Sequence, residues 1–126
     1  MPSEIYILDT SSLVSYLAQE TGSEQIKKYR NNLQIPFIVL TETYYVTFRK
    51  QGHLVAEEIM HHILSWHFPI LKPDEQICLL AGFLKGQYKL GIADSYIAAF
   101  ALNLNATLLT KDHDYRAVQN LKLLFL

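Results

Sequence analysis

The chain has 126 residues, half of them hydrophobic and 18% charged, with 11 Lys+Arg against 12 Asp+Glu for a formal net charge of −1. That length fits one domain, and the apolar fraction excludes a disordered chain. The charge balance argues against a passive nucleic-acid-binding module, which usually carries a basic excess, but not against a nuclease whose acidic metal ligands offset a basic surface. The apolar runs are short and broken by polar residues, so no membrane-spanning segment is expected. Met1–Ile5 is not a basic region ahead of a long apolar core, so no signal peptide is expected. The single cysteine, Cys78, cannot close an internal disulfide and reads as a small buried residue on a helix. Together these points lead us to expect a cytoplasmic protein.

Glu4–Leu8 (EIYIL) is short, apolar and partly β-branched, and predicts a buried strand that ends at Asp9. Thr10, Ser11 and Ser12 are helix-start residues, and Leu13, Val14, Tyr16 and Leu17 continue at helical spacing. A second helix is predicted from Gly22 and Ser23 to about Arg30, a strand at Pro36–Leu40 (PFIVL) and a helix at Thr41–Gln51 stopped by Gly52. His53–Trp66 carries an apolar stripe of Leu54, Val55, Ile59, Ile63 and Leu64 and predicts another helix. Phe68–Leu71 predicts a short strand, Asp74–Tyr88 a helix broken by Gly91, and Asp94 the opening of a further helix through Ile97, Ala98, Ala101 and Leu102. Ala106–Leu109 and Lys122–Leu126 predict the last strands, with a helical turn at Asp114–Val118 between them.

Strands alternating with helices imply an α/β class fold, a mostly parallel sheet between helical layers. In such sheets the ligand site lies beyond the carboxyl ends of the strands. Asp9 directly follows the first predicted strand and Asp112 closely follows Ala106–Leu109, so both belong in that crevice. Glu42 and Asp94 stand at predicted helix starts. Each acid alone has a bland explanation, because helix N-termini favour negative side chains by about 0.3–1 kcal/mol. Asp9 is harder to explain as a cap alone, with hydroxyl residues immediately behind it. The joint pattern says more. Acids converging on one crevice repel unless a cation sits among them, and hard cations such as Mg²⁺ or Mn²⁺ take carboxylate oxygens, water and substrate phosphate. Two-metal sites use such clusters to cleave phosphodiesters.

Leu8–Leu13 (LDTSSL), the Thr41–Glu42 pair ahead of an apolar and aromatic helix, Lys89–Ala99 (KLGIADSYIAA) and Leu108–Tyr115 (LLTKDHDY) resemble, in order and spacing, the four motifs of PIN domains. The nearest likeness is to VapC-type toxins of bacterial and archaeal toxin–antitoxin pairs, and it covers almost the whole chain. The resemblance implies a single PIN-like domain over residues 1–126, an α/β/α sandwich. It implies a metal-dependent endoribonuclease in which Asp9, Glu42, Asp94 and Asp112 are the catalytic and metal-binding acids, with Mg²⁺ or Mn²⁺ activating a water and leaving a 5′-phosphate. Thr110 and Ser11 match the family's hydroxyl positions. Asp114 falls in an acid-plus-aromatic slot and reads as a local cap, and Tyr115 stands where phenylalanine is commoner. The implied partners are an RNA substrate and a cognate antitoxin that fills a groove near the acids. The apolar and aromatic helices before residue 66 suggest a homodimer face or a groove for a partner helix.

The remaining chemistry is weaker. His61 and His62 are adjacent and cannot face one metal from one helix side, and His53 and His67 are too distant to complete a zinc site, so all four read as surface or half-buried. His113, Arg49, Lys85, Lys89 and Lys111 could reach a phosphate; a solvated charge is the preferred reading of His113 and Lys85, an equal one for Arg49, and Lys111 stays open. Tyr44, Tyr45, Phe48, Trp66, Phe68 and Phe83 could stack on bases, yet their helical spacing more often means packing. A receiver-type phosphoacceptor lacks its aspartate, because Thr41 and Lys72 follow the central candidate strands. A haloacid-dehalogenase-like phosphatase needs an acid where Ser11 stands. A non-catalytic PIN-like adaptor that binds RNA or protein stays open as the alternative.

Overall fold

The computed structural model describes residues 4–126. β1 (Tyr6–Leu8) leads into α1 (Thr10–Leu17), α2 (Ser23–Lys27), a 3-10 turn at Arg30–Asn32 and β2 (Leu33–Pro36). α3 (Phe37–Gln51) and α4 (His53–Ser65) pack together ahead of β3 (Ile70–Leu71). α5 (Glu75–Gln87) and α6 (Ile92–Leu104) precede β4 (Thr107–Thr110), a 3-10 turn at His113–Ala117 and β5 (Lys122–Phe125).

The strands form one five-stranded sheet in the order β3-β2-β1-β4-β5, and every pairing is parallel. The expected α/β fold is therefore observed, with a wholly parallel sheet. The chain winds outward from β1 to β3, then returns past β1 to β4 and β5. Right-handed crossovers require the first set of helices on one face and α5 and α6 on the other, giving the α/β/α sandwich. The winding direction reverses between β1 and β4, where Leu8 lies opposite Leu109. A crevice opens at the carboxyl ends of strands at such a reversal.

Burial explains why these segments hold. Ile7, Leu8, Leu33, Ile35, Leu108 and Leu109 are sealed in the core. All of Ile97–Ala101 on α6 is buried too. A helix hydrophobic on nearly every side belongs inside a fold, and the small Ala98, Ala99 and Ala101 fit close packing there. α6 is consequently a rigid carrier for the residues at its N-terminus.

Four expectations need correction. Pro36–Leu40 is not a strand: β2 lies earlier, at Leu33–Pro36, and Phe37–Leu40 is the first turn of α3. The β-branched run suggested a strand, but Pro36 has a fixed φ and lacks an N–H, which suits the residue that leads into a helix. Glu42 consequently sits inside α3, not at its start, and helix-start electrostatics do not account for it. Cys78 is exposed on the outer face of α5, where Ile77, Ala81 and Leu84 supply the buried stripe. The cap of the last 3-10 turn is Asp112, whose Oδ1 accepts the Asp114 N–H at 2.9 Å, so Asp114 is capped and is not the cap.

Gly22 caps α2 at φ +99°, and a Cβ built there would stand 2.8 Å from the Leu126 Cβ. A left-handed backbone and a close approach act together. Gly22→Ala is expected to destabilise the fold by about 1–2 kcal/mol or more in urea unfolding, and an unchanged midpoint would contradict this packing.

Candidate active site

Asp9 follows β1, is 3% exposed, and caps α1. Its Oδ1 accepts the Ser12 N–H at 2.8 Å, the Ser11 hydroxyl at 2.7 Å and the Ser12 hydroxyl at 3.0 Å, while Oδ2 accepts the Thr110 hydroxyl. Ser11 and Ser12 behind Asp9 are thus its donors, whereas Thr10 points to another acid. Thr110 ends β4 and also accepts the Asp112 N–H at 2.9 Å, and Ser11 accepts the Lys111 N–H at 3.1 Å. Two hydroxyls therefore stitch the carboxyl end of β1 to that of β4.

The other acids arrive from separate elements. Asp94, the third residue of α6, is half-buried and accepts the Tyr115 hydroxyl on Oδ1 at 2.9 Å. Glu42, in the second turn of α3, accepts the Thr10 hydroxyl on Oε1 at 2.6 Å. Asp112 caps the turn after β4. Electrostatics places the four in one neighbourhood. Burial pushes the Asp94 carboxyl up, the Tyr115 hydroxyl partly offsets it, and the charges of Asp112, Glu42 and Asp9 push it further. Burial also raises Asp9, opposed by its hydrogen bonds from Thr110, Ser12 and Ser11. Tyr115 is driven far above an ordinary phenol by burial and by the charges of Asp9 and Asp94. Among the described residues the ion pairs are Lys27–Glu24 and Lys111–Glu20, and neither involves these acids.

The donors and acids fit a hard divalent cation in kind. Among the described residues no group of three or more His, Cys, Asp or Glu is placed to hold a metal by itself. Mg²⁺ typically takes one or two carboxylates and completes its octahedron with water and substrate phosphate. Asp94 Oδ2, Glu42 Oε2 and Asp112 Oδ2 accept no hydrogen bond from the described residues, so each of these acids keeps a free oxygen.

The secondary candidates lie elsewhere. Arg49 rests over the Tyr45 ring at 5.1 Å, and Lys85 donates to the Leu90 carbonyl at 3.0 Å. Lys111 reaches Glu20 at 3.6 Å, and exposed His113 stacks on Phe125 at 4.3 Å between centroids. His53, His61, His62 and His67 are exposed. Trp66 packs on Tyr16 and Phe68, whereas Tyr45, Phe48 and Phe83 are exposed. Thr10 and Tyr115 are the site residues without a signal in the sequence. A tyrosine in place of a phenylalanine looks conservative until its hydroxyl is seen on Asp94.

The PIN domain family profile matches residues 6–121, and the chain belongs to that family. A chain in the crystal structure of VapBC2 from Rickettsia felis, bound to a DNA fragment from their promoter, superposes with a TM-score of 0.81 at 23% identity, over 97% of this chain and 98% of that one. VapBC-1 from nontypeable Haemophilus influenzae gives 0.74 at 29% identity, over 96% and 97%. VapC20 of Mycobacterium tuberculosis, a Sarcin-Ricin loop cleaving toxin, gives 0.69 at 16% identity, over 89% and 93%. No curated protein matches the chain in sequence.

The raised carboxyls set the pH response. Asp9 and Asp94 in the fold lie above the ordinary aspartate value of 3.8, so across that interval the folded chain keeps protons that the unfolded chain has released. Their penalty is absent below the unfolded value, grows between the unfolded and folded values and is complete above the folded one. In chelator, Asp94→Asn is expected to melt above the native chain, with a gap that widens above about pH 4 and levels off once the folded carboxyl has ionised. A gap that stays flat or shrinks in that series of melts would contradict the raised carboxyl that burial and the neighbouring acids impose.

Proposed function

We propose that the chain is a metal-dependent endoribonuclease, the toxin of a toxin–antitoxin pair, in which Asp9, Glu42, Asp94 and Asp112 bind Mg²⁺ or Mn²⁺ against an RNA phosphate. What supports this reading is that Asp112, Glu42 and Asp9 all act electrostatically on Asp94 beyond the ends of a parallel sheet, with no basic side chain paired to any of the four among the described residues. Unneutralised, such a cluster repels a phosphodiester; with a cation it attracts one. A bound ion supplies charge to the phosphate and a water of lowered pKa.

The chain's own residues do the rest. Asp9 is pinned by its hydroxyl and N–H donors, so it does not reorient when charge develops nearby. Asp94 presents a free oxygen. Thr10 holds Glu42, and the Thr110 hydroxyl fixes the backbone at Asp112. No side chain is needed as a covalent nucleophile.

The antitoxin belongs to the same proposal, supported by the likeness to VapBC structures. A groove of about 730 Å³ runs between α1, α3 and α4, lined among others by Val14, Leu17, Val46, Ile59 and His62. Thr43, the residue after Glu42, is among its lining, and this groove is where the proposed antitoxin segment would sit. A homodimer is proposed as well. Apolar exposure is not confined to the helices before residue 66 but extends to Leu79, Phe83 and Ile92. Among the described residues no helix is long and apolar enough to cross a membrane, and a cytoplasmic site of action fits an RNA substrate.

Asp9→Asn and Asp94→Asn are each expected to reduce cleavage of RNA to background on folded protein, and Asp112→Asn to cut it far more than Asp114→Asn. Full activity in either of the first two variants would sink the assignment. The rival reading, a non-catalytic adaptor, draws on there being no three-ligand group among the described residues. A melt separates the two. Metal at about 100 times Kd contributes roughly 2.7 kcal/mol, which for this length raises the melting temperature by roughly 5–15 °C. Mn²⁺ and Mg²⁺ should do so in the native chain and far less in Asp9→Asn. No shift at millimolar metal favours the adaptor.

A further inference from the structure

Tyr115 is the largest of the fully buried side chains, at 0% exposure, and sits in the 3-10 turn that Asp112 caps. A buried phenol must give its proton to an acceptor. Tyr115 gives it to Asp94 Oδ1 at 2.9 Å, across a sequence separation of 21 residues. No other donor among the described residues reaches that carboxylate. Both parts of the contact are rigidly mounted: the ring is enclosed by the core, and Asp94 rides on α6 just ahead of its fully buried stretch. The bond therefore determines the rotation of the Asp94 carboxylate and leaves Oδ2 as the presented oxygen. A phenylalanine would fill the same space and leave the carboxylate free to turn.

We propose that Tyr115 is a positioning residue for the metal site: its hydroxyl holds Asp94 Oδ1 so that Oδ2 faces the divalent ion. This rests on the nuclease reading above. Partners that orient a ligand in this way typically set metal affinity by about 10–100-fold. The contact also ties the Asp112 turn to α6, so two of the four acids are registered to each other through one ring.

The test is a Mn²⁺ titration of the full chain, followed by the electron paramagnetic resonance of free Mn²⁺, in native protein, Tyr115→Phe, Asp94→Asn and the double variant. Metal-free melts and circular dichroism establish that each is folded. Tyr115→Phe is expected to lose about 10–100-fold in Mn²⁺ affinity. The double variant is expected to bind no worse than Asp94→Asn alone, because the hydroxyl acts only through that carboxylate. Mn²⁺ should also perturb the near-ultraviolet tyrosine spectrum of the native chain, a signal that a purely structural hydroxyl would not give and that Tyr115→Phe should lack. A folded Tyr115→Phe that binds Mn²⁺ as tightly as the native chain overturns the proposal and leaves the nuclease reading standing. A loss that persists in the Asp94→Asn background overturns it also. Should Tyr115→Phe fail to fold, the spectrum decides: native chain that binds Mn²⁺ without a tyrosine signal contradicts the proposal. A native chain that binds no Mn²⁺ at millimolar concentration overturns this inference and the metal reading together.

Discussion

A buried carboxyl group at the end of the central strand is the constraint on which the rest of this structure depends. Asp9 cannot be withdrawn from water without replacing the hydrogen bonds that water gave it. The chain replaces them from two directions: Ser11 and Ser12 from the helix it caps, and Thr110 from the neighbouring strand. Bonds to a charged acceptor are worth about 1.5–3 kcal/mol each, more than neutral ones, so they set local geometry firmly. One consequence is the lateral stitching of β1 to β4 through the Ser11 and Thr110 hydroxyls. Another is that the crevice at the reversal of the sheet has a fixed floor.

Against that floor the fold places further negative charge. α3 delivers Glu42, α6 delivers Asp94 and the turn after β4 delivers Asp112, each held by a single hydroxyl or N–H contact. Their mutual repulsion costs stability, and the apolar core under α6 is what tolerates it. Stabilising such a site for its own sake would call for a lysine or arginine, and among the described residues none is paired there. An arrangement that costs stability and lacks a counter-charge is where a fold departs from its own rules for the sake of chemistry.

Much of this was legible in the sequence, and what was hidden was hidden for physical reasons. Asp9 and Asp112 are visible because they follow strands, and a parallel sheet puts its site there. α4 and α5 are visible from their apolar spacing and boundaries, His53–Ser65 and Glu75–Gln87. Pro36–Leu40 misleads because β-branched and aromatic residues suit a buried strand and the start of a buried helix equally; what decides is Pro36, whose ring favours helix entry. Cys78 misleads because thiols are usually buried, yet its neighbours Ile77 and Ala81 already fill the inward face of α5. The Tyr115–Asp94 and Thr10–Glu42 contacts join elements far apart in the chain, and no local pattern encodes them. Membership of the PIN family and the α/β/α fold rest on independent likenesses; the ion and the reaction rest on the carboxylates themselves.

The central claim, that these carboxylates exist to bind a cation, is tested most directly by anomalous diffraction from crystals grown with Mn²⁺. The account predicts a peak in the crevice between β1 and β4, roughly 2.0–2.3 Å from an oxygen of Asp94 and coordinated otherwise largely by water. A peak on the histidines of α4, or clear density for the four acids with no anomalous signal among them, would contradict it.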